Sequence, residues 1–330
     1  MEYRNFGNTD LKISQIGFGA WGIGGPAMAG NIPIGWGDVN DEDSIKALKT
    51  AYNLGVNFYD TADFYGLGHS ESLIGKTFYK NKDVIIATKV GHKIADDNSI
   101  FLDYSKKHIL NACENSLRRL KRDYIDLYQL HSAKIEHLEQ GECIEAMQTL
   151  VKDGKVRYWG ISLNTFNPFP EAEFFIKNNI GSSFQVVYNI INQKAKDLIE
   201  SSSKLGYGII ARMPLQFGIL TGKFNKNSIF NQNDHRAFRL TYDILSKCLD
   251  GTEAVWELLK KYNTTKTGLS LSFILSSIGI ATVIPGIKTE FQAIDNTSGL
   301  VCLEPEDMEY INALYTTKFS KIVEDMQKQG

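Results

Sequence analysis

Short apolar runs recur along the chain, each followed by a segment with helical spacing, and this alternation limits the fold more than any single motif. The runs are 16–18, 56–60, 84–89, 125–131, 158–162, 185–189, 208–214 and 281–286. Runs of this length between turn residues read as interior strands. Strands that alternate with helices pair in parallel. Eight such units predict an α/β fold, a closed (β/α)8 TIM barrel. Periodicity alone also permits an open doubly wound sheet. No Pro- or Ser-rich linker interrupts the 330 residues, so residues 1–330 are expected to form a single domain.

Three segments stand outside the repeat. Alternation at Leu11 and Ile13 gives a half-buried strand of an N-terminal β-hairpin, Gly222 to Leu240 reads as a long polar loop, and Pro305 opens an extra C-terminal helix. Local capping signals place the early helices. Asn40 or Asp41 caps the first, with Ile45, Leu48 and Tyr52 on one face and Gly55 as its stop. Ser70 and Ser105 are read as the caps of the next two.

Composition excludes several functions. The chain is 43% hydrophobic and 22% charged, with a formal net charge of -2. That balance gives no electrostatic case for nucleic acid or for an acidic membrane surface. No apolar run approaches the ~18–20 residues that span a bilayer, and the N-terminus lacks the apolar core of a signal peptide. Cys113, Cys143, Cys248 and Cys302 are scattered without a Cys-x-x-Cys pair, as suits reduced thiols in a cytoplasm.

The chemistry is read from strand ends. Strand side chains alternate faces, so Val56, Phe58 and Asp60 share one face, as do Ile85, Ala87 and Lys89, and Leu127, Gln129 and His131. Each set ends in a polar residue at the carboxyl tip, where such barrels keep their active sites. An Asp60–Lys89 ion pair keeps the lysine charged, and that charge is expected to lower the pKa of a nearby phenol, Tyr65. Tyr65 then serves as a proton donor, and His131 orients or polarises the oxygen being protonated. A metal site built on Asp60 and His131 is disfavoured, because Lys89 repels a cation and the sequence has no His-x-His or His-x-x-x-His pair.

These residues lie in longer motifs. They include Asn5 to Ser14, Asp60-Thr61-Ala62-Asp63-Phe64-Tyr65-Gly66, Gly68 to Gly75, Thr88-Lys89, Gln129-Leu130-His131, Gly160-Ile161-Ser162, Gln185 to Asn189, Pro214 to Lys223 and Ile284 to Asn296. In this order they resemble the aldo-keto reductases almost end to end. The resemblance implies a (β/α)8 barrel that reduces aldehydes and ketones with NADPH, less often with NADH. It implies a catalytic tetrad of Asp60, Tyr65, Lys89 and His131, matching the reading of the strand tips.

Cofactor contacts follow from the same resemblance. Ser162 and Gln185 correspond to the pair that binds the nicotinamide carboxamide. Leu163 stands where the family often has an Asn after that Ser, with Asn164 one further on. Arg212 falls where many members place a Tyr that stacks on the nicotinamide, a role a guanidinium plane also fills. Pro214, Leu215, Gly218, Leu220 and Lys223 match the segment along the pyrophosphate. Lys288 and Thr289 begin a helix whose free N–H groups favour an anion, by resemblance the 2′-phosphate of NADPH. Gln292 and Asn296 look like adenosine contacts.

The expected function is NADPH-dependent reduction of an aldehyde or ketone to an alcohol by hydride transfer, with Tyr65 as general acid and no metal. Trp21, Phe64 and Trp36 are expected to line the pocket for a small-molecule carbonyl substrate. Two rivals are an NADPH-binding regulatory subunit with vestigial turnover, as in the channel-associated members of the family, and a metal-dependent barrel hydrolase. The sequence names neither the substrate nor the oligomeric state.

Overall fold

A computed structural model of the chain describes residues 1–30, 32–35, 37–231 and 234–329. The eight runs become eight parallel strands: Phe18–Gly19, Phe58–Asp60, Ile85–Val90, Ile125–His131, Val156–Ser162, Ser183–Val187, Gly208–Arg212 and Ile280–Ile284. Each pairs with its neighbour in sequence. Parallel bridges of Ile16 with Val283 and of Gly19 with Gly286 join the last strand to the first. The amides of Gly17 and Gly19 donate across this seam to Val283 O at 2.8 Å and Pro285 O at 2.9 Å. The sheet is therefore a closed barrel, not an open one. The seam is tight enough to require glycine, since a Cβ on Gly19 would meet Pro285 O at 2.8 Å.

Some boundaries differ from expectation. The sixth strand ends at Val187, because Asn189 turns the chain by accepting from the amides of Ile191 and Asn192, both at 2.9 Å. Asn40 and Ser105 cap their helices as expected, accepting from Glu42 and Asp43 N and from His108 N. Ser70 does not cap the helix His69–Phe78, whose cap is Gly68. Its buried hydroxyl accepts from Thr61 Oγ1 and donates to Ala20 O, tying the helix to the first two loops. The polar loop contains one helical turn, Arg236–Arg239. The C-terminal helix Pro305–Leu314 passes through a π-helical turn, Tyr315–Phe319, into Ser320–Gln329. Among the described residues no helix is long and apolar enough to cross a membrane.

The barrel interior is filled at one end and open at the other. Phe58, Ala87, Leu127 and Ile210 pack inside with Phe6, Leu11 and Ile13 from the N-terminal segment. Strands Tyr3–Asn5 and Lys12–Ser14 form an antiparallel hairpin across the amino ends of the barrel strands, with Arg4 Nη1 donating to Ile280 O at 3.0 Å. Phe6 is fully buried 6.2 Å from the Phe58 ring. This plug leaves polar groups to the carboxyl ends. Phe6→Ala should therefore lower stability by about 3–5 kcal/mol, the cost of emptying a buried aromatic site. Urea unfolding should show it as a lower midpoint at unchanged slope, and a wild-type midpoint would mean that the plug does not support the barrel.

Candidate active site

Four strands and one loop converge on the buried pair of Lys89 and Asp60. The Lys89 side chain is fully buried, and its Nζ donates to Asp60 Oδ1 at 2.6 Å, Thr61 O at 2.8 Å and Tyr65 Oη at 3.2 Å. All three ammonium protons are used. The other Asp60 oxygen accepts from Gln185 Nε2 at 2.7 Å and Gln129 Nε2 at 3.3 Å. A buried ion pair is tolerable only when its remaining hydrogen-bonding capacity is met in this way.

The protonation states follow. Burial alone would depress Lys89, but Asp60 and Tyr65 outweigh it and raise the ammonium above its ordinary value. Tyr65 departs from expectation. Burial raises its phenol, and the opposing pull of Lys89 and Arg212 does not compensate, so the net shift is upward. The sequence identified the cation but not the desolvation, which belongs to the folded cavity. His131 is held well below its ordinary value by burial and by His92, Lys89 and Arg212, so its ring is neutral at neutral pH. It stands edge-on to Tyr65, with ring centroids 5.8 Å apart.

His92 is a site residue that strand-end reasoning did not pick out. It lines the same cavity, its ring lies 4.4 Å from that of His131, and burial lowers its pKa to about 4. The available signal was its position directly after Gly91, just past the strand that carries Lys89.

The cavity holds about 920 Å³. Trp21 and Phe64 line it beside Tyr65 and His131. Trp36, expected with them, lies outside the described residues. Ser162 and Gln185 also line it, with Ser162 Oγ donating to Gln185 Oε1 at 3.4 Å. Asn164 Oδ1 accepts from Phe166 and Asn167 N in a turn. Arg212 Nη2 donates to Leu163 O at 3.0 Å and Thr165 Oγ1 at 3.1 Å, while its Nε has no partner. It makes no ion pair among the described residues, so it is not a rim charge engaged elsewhere.

After Arg212 the backbone is strained. Met213, Gln216 and Phe217 have φ of 53°, 43° and 56°, followed by Gly218 at 93°. Left-handed backbone at non-glycine residues costs energy and gathers at ligand clamps. Asn189 holds this segment, its Nδ2 donating to Met213 O at 2.9 Å and Gln216 Oε1 at 2.8 Å. A Cβ on Gly218 would meet Lys223 Cε at 2.8 Å, so the glycine lets the lysine fold over the loop. Pro214, Leu215, Gly218 and Lys223 all line the cleft.

At the far end Thr289 caps the helix Glu290–Thr297, accepting from Gln292 N at 3.3 Å, and Gln292 Oε1 accepts from Lys288 N at 2.7 Å. These two contacts occupy the Lys288 amide and the Thr289 hydroxyl, groups that were expected to be open, leaving the first-turn amides of Glu290 and Phe291 without intrahelical acceptors. Thr289, Gln292 and Asn296 line the cleft, and Asn296 Nδ2 donates to Gly286 O at 3.5 Å. Glu290 turns away to Lys46 at 2.6 Å and Thr50 at 3.2 Å. Lys288 Nζ donates to Asp38 O at 3.3 Å, and burial followed by the charge of Arg236 lowers its pKa. Lys223 is lowered by the same causes in the same order. Arg236, paired with Asp234, joins these lysines in a cationic cluster that the polar-loop reading overlooked. The strained cradle and this cluster fit an extended dinucleotide.

A barrel whose strand ends gather a buried ion pair and a phenol beside a long cleft with cations at its end has the architecture of an NAD(P)H-dependent oxidoreductase. The chain belongs to the aldo/keto reductase family, whose model matches residues 15–316. It is 30% identical over 298 residues to the uncharacterized oxidoreductase YqkF of Bacillus subtilis, covering 90% of each chain. It is 28% identical to a probable voltage-gated potassium channel subunit beta of Oryza sativa, covering 96% of this chain and 98% of that one. The holo form of aldo-keto reductase AKR11C1 from Bacillus halodurans superposes with a TM-score of 0.74 at 27% identity, covering 95% and 96% of the two chains. Among the described residues no group of three His, Cys, Asp or Glu side chains is placed to hold a metal ion.

Lys89→Met should leave Asp60 as an unpaired buried charge and cost about 3–5 kcal/mol of stability. Adding Asp60→Asn should recover part of the loss. The urea midpoints of the single and double variants test this, and additive losses would mean that the two residues do not depend on each other.

Proposed function

We propose that the protein reduces an aldehyde or ketone to an alcohol with NADPH, and that Tyr65 protonates the carbonyl oxygen. The observation that carries this reading is the position of Lys89 Nζ, bonded at once to Asp60 and Tyr65. In this reading Ser162 and Gln185 bind the nicotinamide carboxamide and Arg212 stacks on the ring. Pro214, Leu215, Gly218 and Lys223 follow the pyrophosphate, while Gln292 and Asn296 meet the adenosine. When bound, the nicotinamide supplies the hydride.

The chain's own groups manage the proton and the charge. Tyr65 Oη gives its proton to the substrate oxygen, and the Lys89 ammonium stabilises the phenolate left behind. His131, neutral, polarises the oxygen without adding a second cation. Trp21 and Phe64 form an apolar wall that limits water. Because burial raises Tyr65, its donor form persists through neutral pH and is lost only on the alkaline side. The same reading takes residues 1–330 as one domain working in a reducing cytoplasm, in keeping with four unpaired cysteines.

The likeness to a channel subunit supports a second reading, in which cofactor binding matters more than turnover. Turnover of nitrobenzaldehyde decides between the two. Tyr65→Phe should lower kcat by about a hundredfold or more while NADPH affinity stays near wild type. Wild-type turnover in this variant would remove Tyr65 as the acid.

Cofactor choice is assigned to Lys288 and Thr289 with the 2′-phosphate. The turn of Glu290 onto Lys46 supports it, because that carboxylate is drawn away from a ribose diol. Lys288→Met should weaken NADPH by about 1.5–3 kcal/mol and leave NADH nearly unaffected, as read by fluorescence titration of both. An equal loss for the two cofactors would mean that Lys288 does not hold the phosphate.

A further inference from the structure

Beyond Tyr65 the cavity continues into a second lobe of about 340 Å³. The two share Trp21, Thr165, Arg212 and Arg239, and the C-terminal helix adds Met326 and Gln329 to the second lobe. Ring contacts lead there from the proton donor. Tyr65 lies 6.0 Å from Trp21, Trp21 5.2 Å from His235, and His235 4.6 Å from Phe238. Arg239 follows, its guanidinium 5.2 Å from the Phe238 ring. Gln329 Nε2 donates to Phe238 O, which fixes this corner to the C-terminal helix.

Arg239 differs from three partly buried arginines that carry a counter-ion. Arg119 pairs with Glu71, Arg157 with Asp126, and Arg236 with Asp234. The Arg239 side chain makes no hydrogen bond or ion pair among the described residues. Burial lowers its pKa, and no acid opposes that effect. Arg212 faces the same two lobes with an unpartnered Nε. Asp60, the carboxylate nearest the proton donor, is already matched by Lys89. The cofactor phosphates do not account for these guanidiniums, because Lys223, Arg236 and Lys288 cluster at the other end. None of Thr289, Gln292 and Asn296 lines the second lobe.

A half-buried guanidinium without a counter-ion favours an anion through charge-assisted, bidentate hydrogen bonds. We propose that the carbonyl substrate carries an anionic group, a carboxylate or a phosphate, which Arg239 holds in the second lobe with Arg212 beside it. This rests on the reductase reading and names the substrate class for it.

The test compares 4-carboxybenzaldehyde, 4-formylphenyl phosphate and methyl 4-formylbenzoate as substrates with NADPH. Wild-type kcat/KM should favour one of the anions over the neutral ester by about tenfold or more, and the preferred anion identifies the group. In Arg239→Gln that preference should fall by about tenfold, mainly through KM, and Arg239→Lys should recover part of it. An ester reduced as well as both anions by wild type, or a preference unchanged in Arg239→Gln, overturns the proposal. If none of the three is reduced, the reductase reading fails with these carbonyls, and calorimetry decides the anion site separately. Terephthalate should then bind the wild-type protein more tightly than terephthalamide does, and equal binding overturns the site. The same calorimetric comparison on wild type decides the matter if Arg239→Gln does not fold.

Discussion

The buried contact between Lys89 and Asp60 is the constraint on which the mouth of the barrel depends. Removing both charges from water is costly, and the cost is offset only because each remaining donor and acceptor is used. The carboxylate draws in Gln129 and Gln185, and the ammonium draws in Thr61 O and Tyr65. One ion pair thus ties together the second, third, fourth and sixth strands and the loop that carries the phenol. A site built from strand ends in this way is held more firmly than one built on loops alone.

The same contact sets the protonation states that the proposed reduction requires. Lys89 stays an ammonium because Asp60 is there, and Tyr65 stays a phenol because the cavity is dry enough to outweigh the ammonium. His131 stays neutral because it is buried among His92, Lys89 and Arg212. Each result comes from a contest between desolvation and charge, and the winner differs from residue to residue.

Stability and function are divided between the two ends of the barrel. Phe6, Leu11 and Ile13 seal the amino end with apolar packing. The carboxyl end carries the costs: an ion pair, unpartnered nitrogens on His131 and Arg212, and left-handed backbone from Met213 to Phe217. Asn189, 24 to 27 residues away in sequence, keeps that strained segment in place.

Much of the fold and part of the site were legible in the chain itself. Strand runs, the caps at Asn40 and Ser105, and the tips Asp60, Lys89 and His131 depend on local period and local hydrogen bonds, which neighbouring residues specify. Tertiary structure decided the rest, because the partners lie far apart in sequence or the cause is burial. Ser70 looked like a cap, yet Ala20 and Thr61 claim its hydroxyl. Glu290, in the first turn of the helix after the last strand, is drawn to Lys46. Thr289 and Gln292 spend their groups on each other's turn before any ligand arrives. Gln185 reaches Asp60 across 125 residues, and the upward shift of Tyr65 exists only once the cavity around it has closed. Sequence determined which residues stand at the strand ends, whereas only packing decided which of their polar groups remain open and in which charge state, since desolvation is a property of the assembled barrel.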